Sequence, residues 1–211
     1  LFLTFQSSYQ VSLRQLAMLV SVNFGVQLLV DFVSSLFVDK IGYRVCMVGA
    51  HLLAACGLIG LYLFPTLLPN AFVGILLAVV IYAIGGGLLE VLVSPVVEAC
   101  PTEKKEAAMS LLHSFYCWGH VLVIICSTIF FTVFGLNNWG IMACIWAVIP
   151  LLNAFYFSRV PVPMLVEEGE GMKVGELVKN GVFWKLFLMM LCAGASEQGM
   201  SQWASAFAES S

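Results

Sequence analysis

Long apolar runs alternate with short polar breaks along the whole chain. The runs cover about 11–38, 44–64, 71–98, 106–135, 139–158 and 182–207. The breaks carry charge or turn residues. They are Asp39-Lys40-Ile41-Gly42-Tyr43-Arg44, Pro65-Thr66-Leu67-Leu68-Pro69-Asn70, Cys100-Pro101-Thr102-Glu103-Lys104-Lys105 and Gly135-Leu136-Asn137-Asn138. A longer polar stretch, about 159–181, holds Pro161, Pro163 and the acidic run Glu167-Glu168-Gly169-Glu170. An α-helix needs about 20 apolar residues to cross a bilayer core, and each run is of that order. A membrane β-strand would need about 10 residues in strict alternation, a pattern the runs lack. In lipid a helix also satisfies its own backbone hydrogen bonds. The pattern predicts an all-α, polytopic transmembrane helix bundle with six spans, joined by turns at the five breaks.

Composition fixes the solvent. The 211 residues are 61% hydrophobic and only 10% charged, where a soluble domain carries about 25% charge. The mean hydropathy is +1.00. Lipid must cover much of such a surface. A net charge of −3 gives no footing for a polyanion, so no nucleic-acid partner is expected. The cysteines at 46, 56, 100, 117, 126, 144 and 192 are scattered without a Cys-x-x-Cys pair. They read as small apolar packing residues rather than a disulfide framework or metal site. The opening Leu-Phe-Leu-Thr-Phe, residues 1–5, reads as the end of a helix. The chain is therefore expected to be a piece of a longer protein.

Charge sets the orientation. Of the nine basic residues, only Arg14 falls on the side of the second and fourth breaks. Lys40, Arg44, Lys104, Lys105, Arg159, Lys173, Lys179 and Lys185 fall in or beside the first, third and fifth. The positive-inside rule places 39–44, 99–106 and 159–181 in the cytoplasm. A multi-pass protein of the cell membrane, plasma or inner, is expected.

Polar groups inside spans are costly and are functional candidates by default. Asn23, Gln27 and Asp31 recur every four residues and share one face of the first span, with Ser34 and Ser35 close by. That polar stripe reads either as part of a polar pathway or as hydrogen-bonding glue between helices. Gly85-Gly86-Gly87 lets a neighbouring helix approach, and Pro95 removes a backbone donor and can bend the helix. Glu90 lies between them, about 12 Å of helix rise before the span ends. At that depth a carboxyl needs a partner, a proton or water. Glu98 reads as an interfacial residue, and Ser94 lies one turn beyond Glu90. His113, Tyr116, Cys117 and His120 share a face of the fourth span, near Ser110, Ser114 and Trp118. Two His residues without an acidic companion make a poor metal site. They suit a polar or sugar-like solute, or simple hydrogen bonding within the bundle. Glu197, Gln198, Ser201, Gln202 and Trp203 give the last span a polar face, and Gly194 and Gly199 permit a break there.

The break Asp39-Lys40-Ile41-Gly42-Tyr43-Arg44 resembles the signature loop between helices two and three of the major facilitator superfamily, Gly-x-x-x-Asp-(Arg/Lys)-x-Gly-x-(Arg/Lys). Ser35 stands at the leading Gly. The resemblance covers nearly the whole chain and implies the major facilitator fold, with the six spans as helices two to seven. It implies an N-terminal six-helix half over 1–160, a cytoplasmic link over 161–181 and the first helix of a second half over 182–211. It also implies that Asp39, Lys40, Gly42 and Arg44 form a conformational latch, with Asp39 meeting a helix of the other half. Over about 85–120 the chain resembles the fucose permease branch. The likeness runs through Gly87-Leu88-Leu89-Glu90, Ser94-Pro95, the Leu-rich stretch ending Ser114-Phe115, and Gly119. There Glu90 matches a carboxylate implicated in sugar recognition and proton coupling. Ser94 stands for an Asn of that branch and His113 for a residue that is usually Gln.

The expectation is a secondary active transporter for a small polar solute, a sugar or related metabolite, coupled to protons and working by alternating access. The alternative is a drug or metabolite exporter of the same superfamily. Glu90, Ser94, His113, Tyr116, His120, Glu197, Gln198 and Trp203 are the expected substrate-binding residues, and Glu90 the proton-coupling one. No phosphate loop and no hydrolase motif is present, so neither ATP-driven pumping nor an enzyme activity is expected, and no cofactor or metal. The expected partners are the solute, the proton and the bilayer, with the protein a monomer.

Overall fold

The computed structural model describes the backbone of residues 2–162 and 174–210. Side chains are described over the same ranges except at 2–4, 7, 174, 198–199 and 201–210. The acidic run 167–170, Pro163 and Lys173 therefore lie outside the described residues. Two compact units divide the chain, Leu1–Leu165 and Val166–Ser211.

The described elements are all helical. The first unit holds α1 (Phe2–Tyr9), α2 (Leu13–Ile41), α3 (Tyr43–Leu67), α4 (Ala71–Glu98), α5 (Lys105–Phe134) and α6 (Trp139–Arg159). A 3-10 turn at Leu136–Asn138 leads into α6. Among the described residues, five stretches are long and apolar enough to cross a membrane: α2, α3, α4, α5 and the turn with α6. Five of the six expected spans are thus present, and part of the sixth, about 182–207, lies outside the residues with described side chains.

Local chemistry sets the helix ends. Ser12 begins α2 with a reciprocal cap. Gln15 N donates to Ser12 Oγ at 3.2 Å, and Ser12 N donates to Gln15 Oε1 at 2.8 Å. Asn70 Oδ1 accepts from Phe72 N at 3.0 Å and starts α4. Gly135 ends α5 at a φ of 81°, a conformation that favours glycine.

The first polar break differs from the sequence expectation. It is not a six-residue loop. Asp39, Lys40 and Ile41 finish α2, and Tyr43 already opens α3. Only Gly42 leaves the helical path, at a φ of 95°, with its N–H donating to Val38 O at 2.8 Å. Charge ends the apolar run without ending the helix.

α3 and α4 form the central pair of this unit and touch backbone to backbone. A Cβ on Gly85 would stand 2.5 Å from Ala54 N, and one on Gly57 2.5 Å from Tyr82 N. Small residues allow this approach, which lipid-embedded helices need because hydrophobic expulsion from water does not drive them together. α6 packs on α3, where Gly140 lies beneath the Tyr62 ring. α2 lies along α4 in the same direction. Leu16 and Leu19 of α2 join Ile75, Ala78 and Val79 in one buried cluster, while Val38 joins Leu88 and Leu92 in another. At the first of these ends, Phe5 and Tyr9 of α1 and Tyr62 of α3 set their rings edge-on to Trp139, at 5.1, 6.3 and 6.2 Å.

α5 is the outlier. None of its residues is buried, and its exposed surface includes Leu111, Phe115, Trp118, Ile124 and Ile129. One described hydrogen bond ties it to α6, from Trp146 Nε1 to Ser127 Oγ at 3.1 Å.

In the second unit, α7 (Val174–Leu177) precedes α8 (Gly181–Ser210). Asn180 Oδ1 accepts from Val182 N at 2.9 Å, and Trp184 Nε1 donates to Val178 O at 2.8 Å. α8 runs unbroken through Gly194 and Gly199, so the break those glycines permit is not made. A helix in lipid keeps every backbone bond it can.

Candidate functional site

The polar residues of the first unit gather where α2 meets α4. A Cβ on Gly86 would lie 3.4 Å from Gln27 Nε2, and one on Gly87 would lie 3.3 Å from Gln27 Cα and Val30 Cβ. The glycine run thus serves both neighbours of α4, Gly85 facing α3 and Gly86 with Gly87 facing α2.

On the α4 side, Glu90 follows Gly86 by four residues and Gly87 by three, so it shares their face. Its side chain is exposed in this unit, and Ser94, one turn on, is half-buried. About 12 Å of rise separates Glu90 from Glu98 at the end of the helix.

On the α2 side, Asn23, Gln27 and Asp31 are half-buried and Ser34 is fully buried. Ser34 Oγ donates to Asp31 O at 2.8 Å, returning its hydroxyl to its own helix. The stripe does not close on itself. Asn23 Oδ1 and Asp31 Oδ1 are buried acceptors without a hydrogen-bond partner.

The α5 candidates stand apart from any buried site in this unit. His113, Tyr116, Cys117 and His120 are all exposed. The Tyr116 and His120 rings meet edge to face with centroids 4.6 Å apart. Ser114 Oγ donates to Ser110 O at 2.9 Å. Glu197 is an exposed residue of α8, in the second unit, whereas the side chains of Gln198 and Trp203 lie outside the described residues.

At the Gly42 turn the four motif residues divide. Tyr43 Oη donates to Asp39 Oδ1 at 3.0 Å, bridging the end of α2 and the start of α3. Lys40 is exposed. Arg44 reaches α6 and donates from Nε to Phe157 O at 3.3 Å and from Nη2 to Ser158 O. The last carbonyls of a helix lack intrahelical donors and carry the negative end of its dipole. A guanidinium there satisfies them and fastens α3 to α6. The motif alone did not point to this contact, and the signal for it lay in the bare carbonyl end of α6.

Two further residues escaped the sequence reading. His51 is buried in α3, with Nδ1 2.8 Å from Met47 O and its ring 5.4 Å from that of Phe157. Trp146 pairs with Ser127 as described above. The seven cysteines are free thiols. Cys46 alone among them is buried, and Cys56, Cys100, Cys117 and Cys192 are exposed, so packing accounts for few of them. Among the described residues no three His, Cys, Asp or Glu side chains converge to hold a metal.

A protein-family model described as Major Facilitator Superfamily matches residues 1–211. No curated protein and no solved structure matches the chain.

Proposed function

The chain belongs to the major facilitator superfamily, a family of membrane transporters, and from that premise we propose that it serves a proton-coupled secondary transporter of a small polar solute, a sugar or related metabolite. The observation that carries the reading is Glu90. It is a carboxyl about 12 Å of helix rise inside a span, beside the contact that Gly86 and Gly87 make with the polar stripe of α2. A group so placed is costly to keep in lipid and is retained where it faces a polar cavity.

Glu90 takes and releases the coupling proton, and Ser94 supports the solute nearby. His113, Tyr116 and His120 present hydrogen-bonding groups and an aromatic face to a hydroxylated ring. Glu197, Gln198 and Trp203 are further solute-binding residues on the same sequence reading. The likeness of residues 85–120 to the fucose permease branch favours a sugar. Residues 1–160 act as one half of the transporter and 182–211 begin the other, joined by 161–181. The halves rock about the midplane site in the cell membrane, with 39–44, 99–106 and 159–181 in the cytoplasm. Asp39, Lys40, Gly42 and Arg44 latch the cytoplasmic side in one of the two states.

The test is uptake of a panel of radiolabelled sugars and sugar acids into proteoliposomes containing the full-length protein. The reading expects at least one of them to accumulate under an inward proton gradient and to stop when an ionophore collapses it. Uptake of none, or uptake that ignores the gradient, contradicts it.

A further inference from the structure

We propose that Asp31 is a second proton-carrying carboxyl, which titrates as one unit with Glu90 across the α2–α4 contact. The role in coupling rests on the transporter reading above, but the observations stand on the helix packing alone.

The two residues share a level. α2 and α4 run in the same direction, and Gln27 meets Gly86 and Gly87. Asp31 follows Gln27 by four residues, just as Glu90 follows Gly86 by four. Both therefore lie about one turn, ~5.4 Å, beyond the same contact, on the faces that the two helices turn to each other.

Among the described residues no cation stands beside Asp31: on α2 itself Lys40 comes nine residues later and Arg14 seventeen earlier. Asp31 Oδ1 is buried without a hydrogen-bond partner. Among the described residues, α4 and then α3 pack most extensively on α2. On α4 the titratable groups are Tyr82, Glu90 and Glu98. On α3 they are Tyr43, Arg44, Cys46, His51, Cys56 and Tyr62. Arg44, the one fixed cation of these two helices, is committed to Phe157 O and Ser158 O. His51 is held on Met47 O with its ring against Phe157 of α6. Tyr43 donates to Asp39. α1 brings only Tyr9 to the far end of α2. A carboxylate in a span with no cation beside it is neutralised by a proton.

The step is balanced. A proton from water on one side adds to the Asp31 carboxylate to give the acid. The same proton leaves to water on the other side and restores the carboxylate. Two carboxyls at one level interact, so protons leave the pair in two linked steps rather than from either residue alone. Asn23 Oδ1, the other buried acceptor without a partner, lies two turns earlier on the same stripe and extends it toward the Asn70 end of the helices.

Infrared difference spectroscopy of the full-length protein in liposomes tests this without any solute and without transport. A failed uptake assay would thus count against the transporter reading only. The proposal expects protonated-carboxyl absorption at neutral pH that disappears in two steps as pH rises. Asp31→Asn should remove one component and leave a single step, and Glu90→Gln should do the same with the other component. Asp31→Glu should restore the two-step titration, which separates a lost carboxyl from a damaged fold. An Asp31→Asn spectrum identical to wild type overturns the proposal. So does a wild type with no protonated carboxyl at neutral pH, a result that needs no variant. Loss of the absorption on adding sodium chloride at fixed pH would identify a metal cation as the occupant and also overturn it.

Discussion

Gly85→Ala adds one methyl group where α3 and α4 touch. The new Cβ would stand 2.5 Å from Ala54 N and 2.6 Å from Ala50 O, both backbone atoms that no rotamer change can move. Reaching ordinary contact near 3.4 Å requires the two helices to part by roughly 0.9 Å, and a gap of that size forfeits about a quarter to a half of each neighbouring dispersion contact. Overpacking of this kind costs about 1–3 kcal/mol. Against it stands the better helix propensity of Ala, about 1 kcal/mol. Gly49→Ala, in α3, is the matched control, because its Cβ would meet nothing within 4 Å. Both changes gain the same propensity, so their difference isolates the clash. Thermal melts of the purified protein should place Gly85→Ala below Gly49→Ala by several degrees, following about 2–4 °C per kcal/mol. The α4 face that carries Gly86, Gly87 and Glu90 would shift with the displaced helix, so transport should fall as well. Equal melting of the two variants would refute an α3–α4 contact this close.

Trp146→Phe removes the donor to Ser127 and should weaken the α5–α6 pair by about 0.6–2 kcal/mol; a double-mutant cycle with Ser127→Ala measures the coupling, which should vanish once either partner is gone. Asp39→Asn keeps an acceptor for Tyr43 Oη yet removes the charge, so transport should drop while expression and melting hold; wild-type rates would remove the latch. Lys104→Cys in intact cells should resist a membrane-impermeant thiol reagent, and labelling from outside would reverse the proposed topology.

Hydropathy made the spans legible because lipid leaves a helix no freedom to end in mid-membrane. The run read as 71–98 is α4 residue for residue. Helix ends beyond the lipid were harder. Asp39, Lys40 and Ile41 looked like loop because they are polar or follow charge, but a helix persists until its backbone is turned, and only Gly42 does that. The partner of Arg44 lies 113 residues away along the chain, in α6, and no local pattern encodes such a distance. The site itself was legible only as a set of polar faces. Spacing put Asn23, Gln27 and Asp31 on one stripe, and three glycines announced a close approach. Which helix came close, and that Gly85 and Gly86 serve different neighbours, emerges only from packing. The α5 candidates share a face as their spacing requires, but their exposure in the first unit is a tertiary fact that spacing cannot carry.

Glu90→Gln tests the central claim most directly. The amide keeps the shape and hydrogen-bonding capacity of the acid but cannot ionise. In proteoliposomes of the full-length protein, using a sugar from the panel that wild type accumulates, the variant should lose accumulation driven by an inward proton gradient. It should still exchange labelled for unlabelled sugar across the membrane, because exchange needs the site and the rocking motion but no net proton movement. Full gradient-driven accumulation by Glu90→Gln would contradict the account and leave Glu90 as a packing residue of α4.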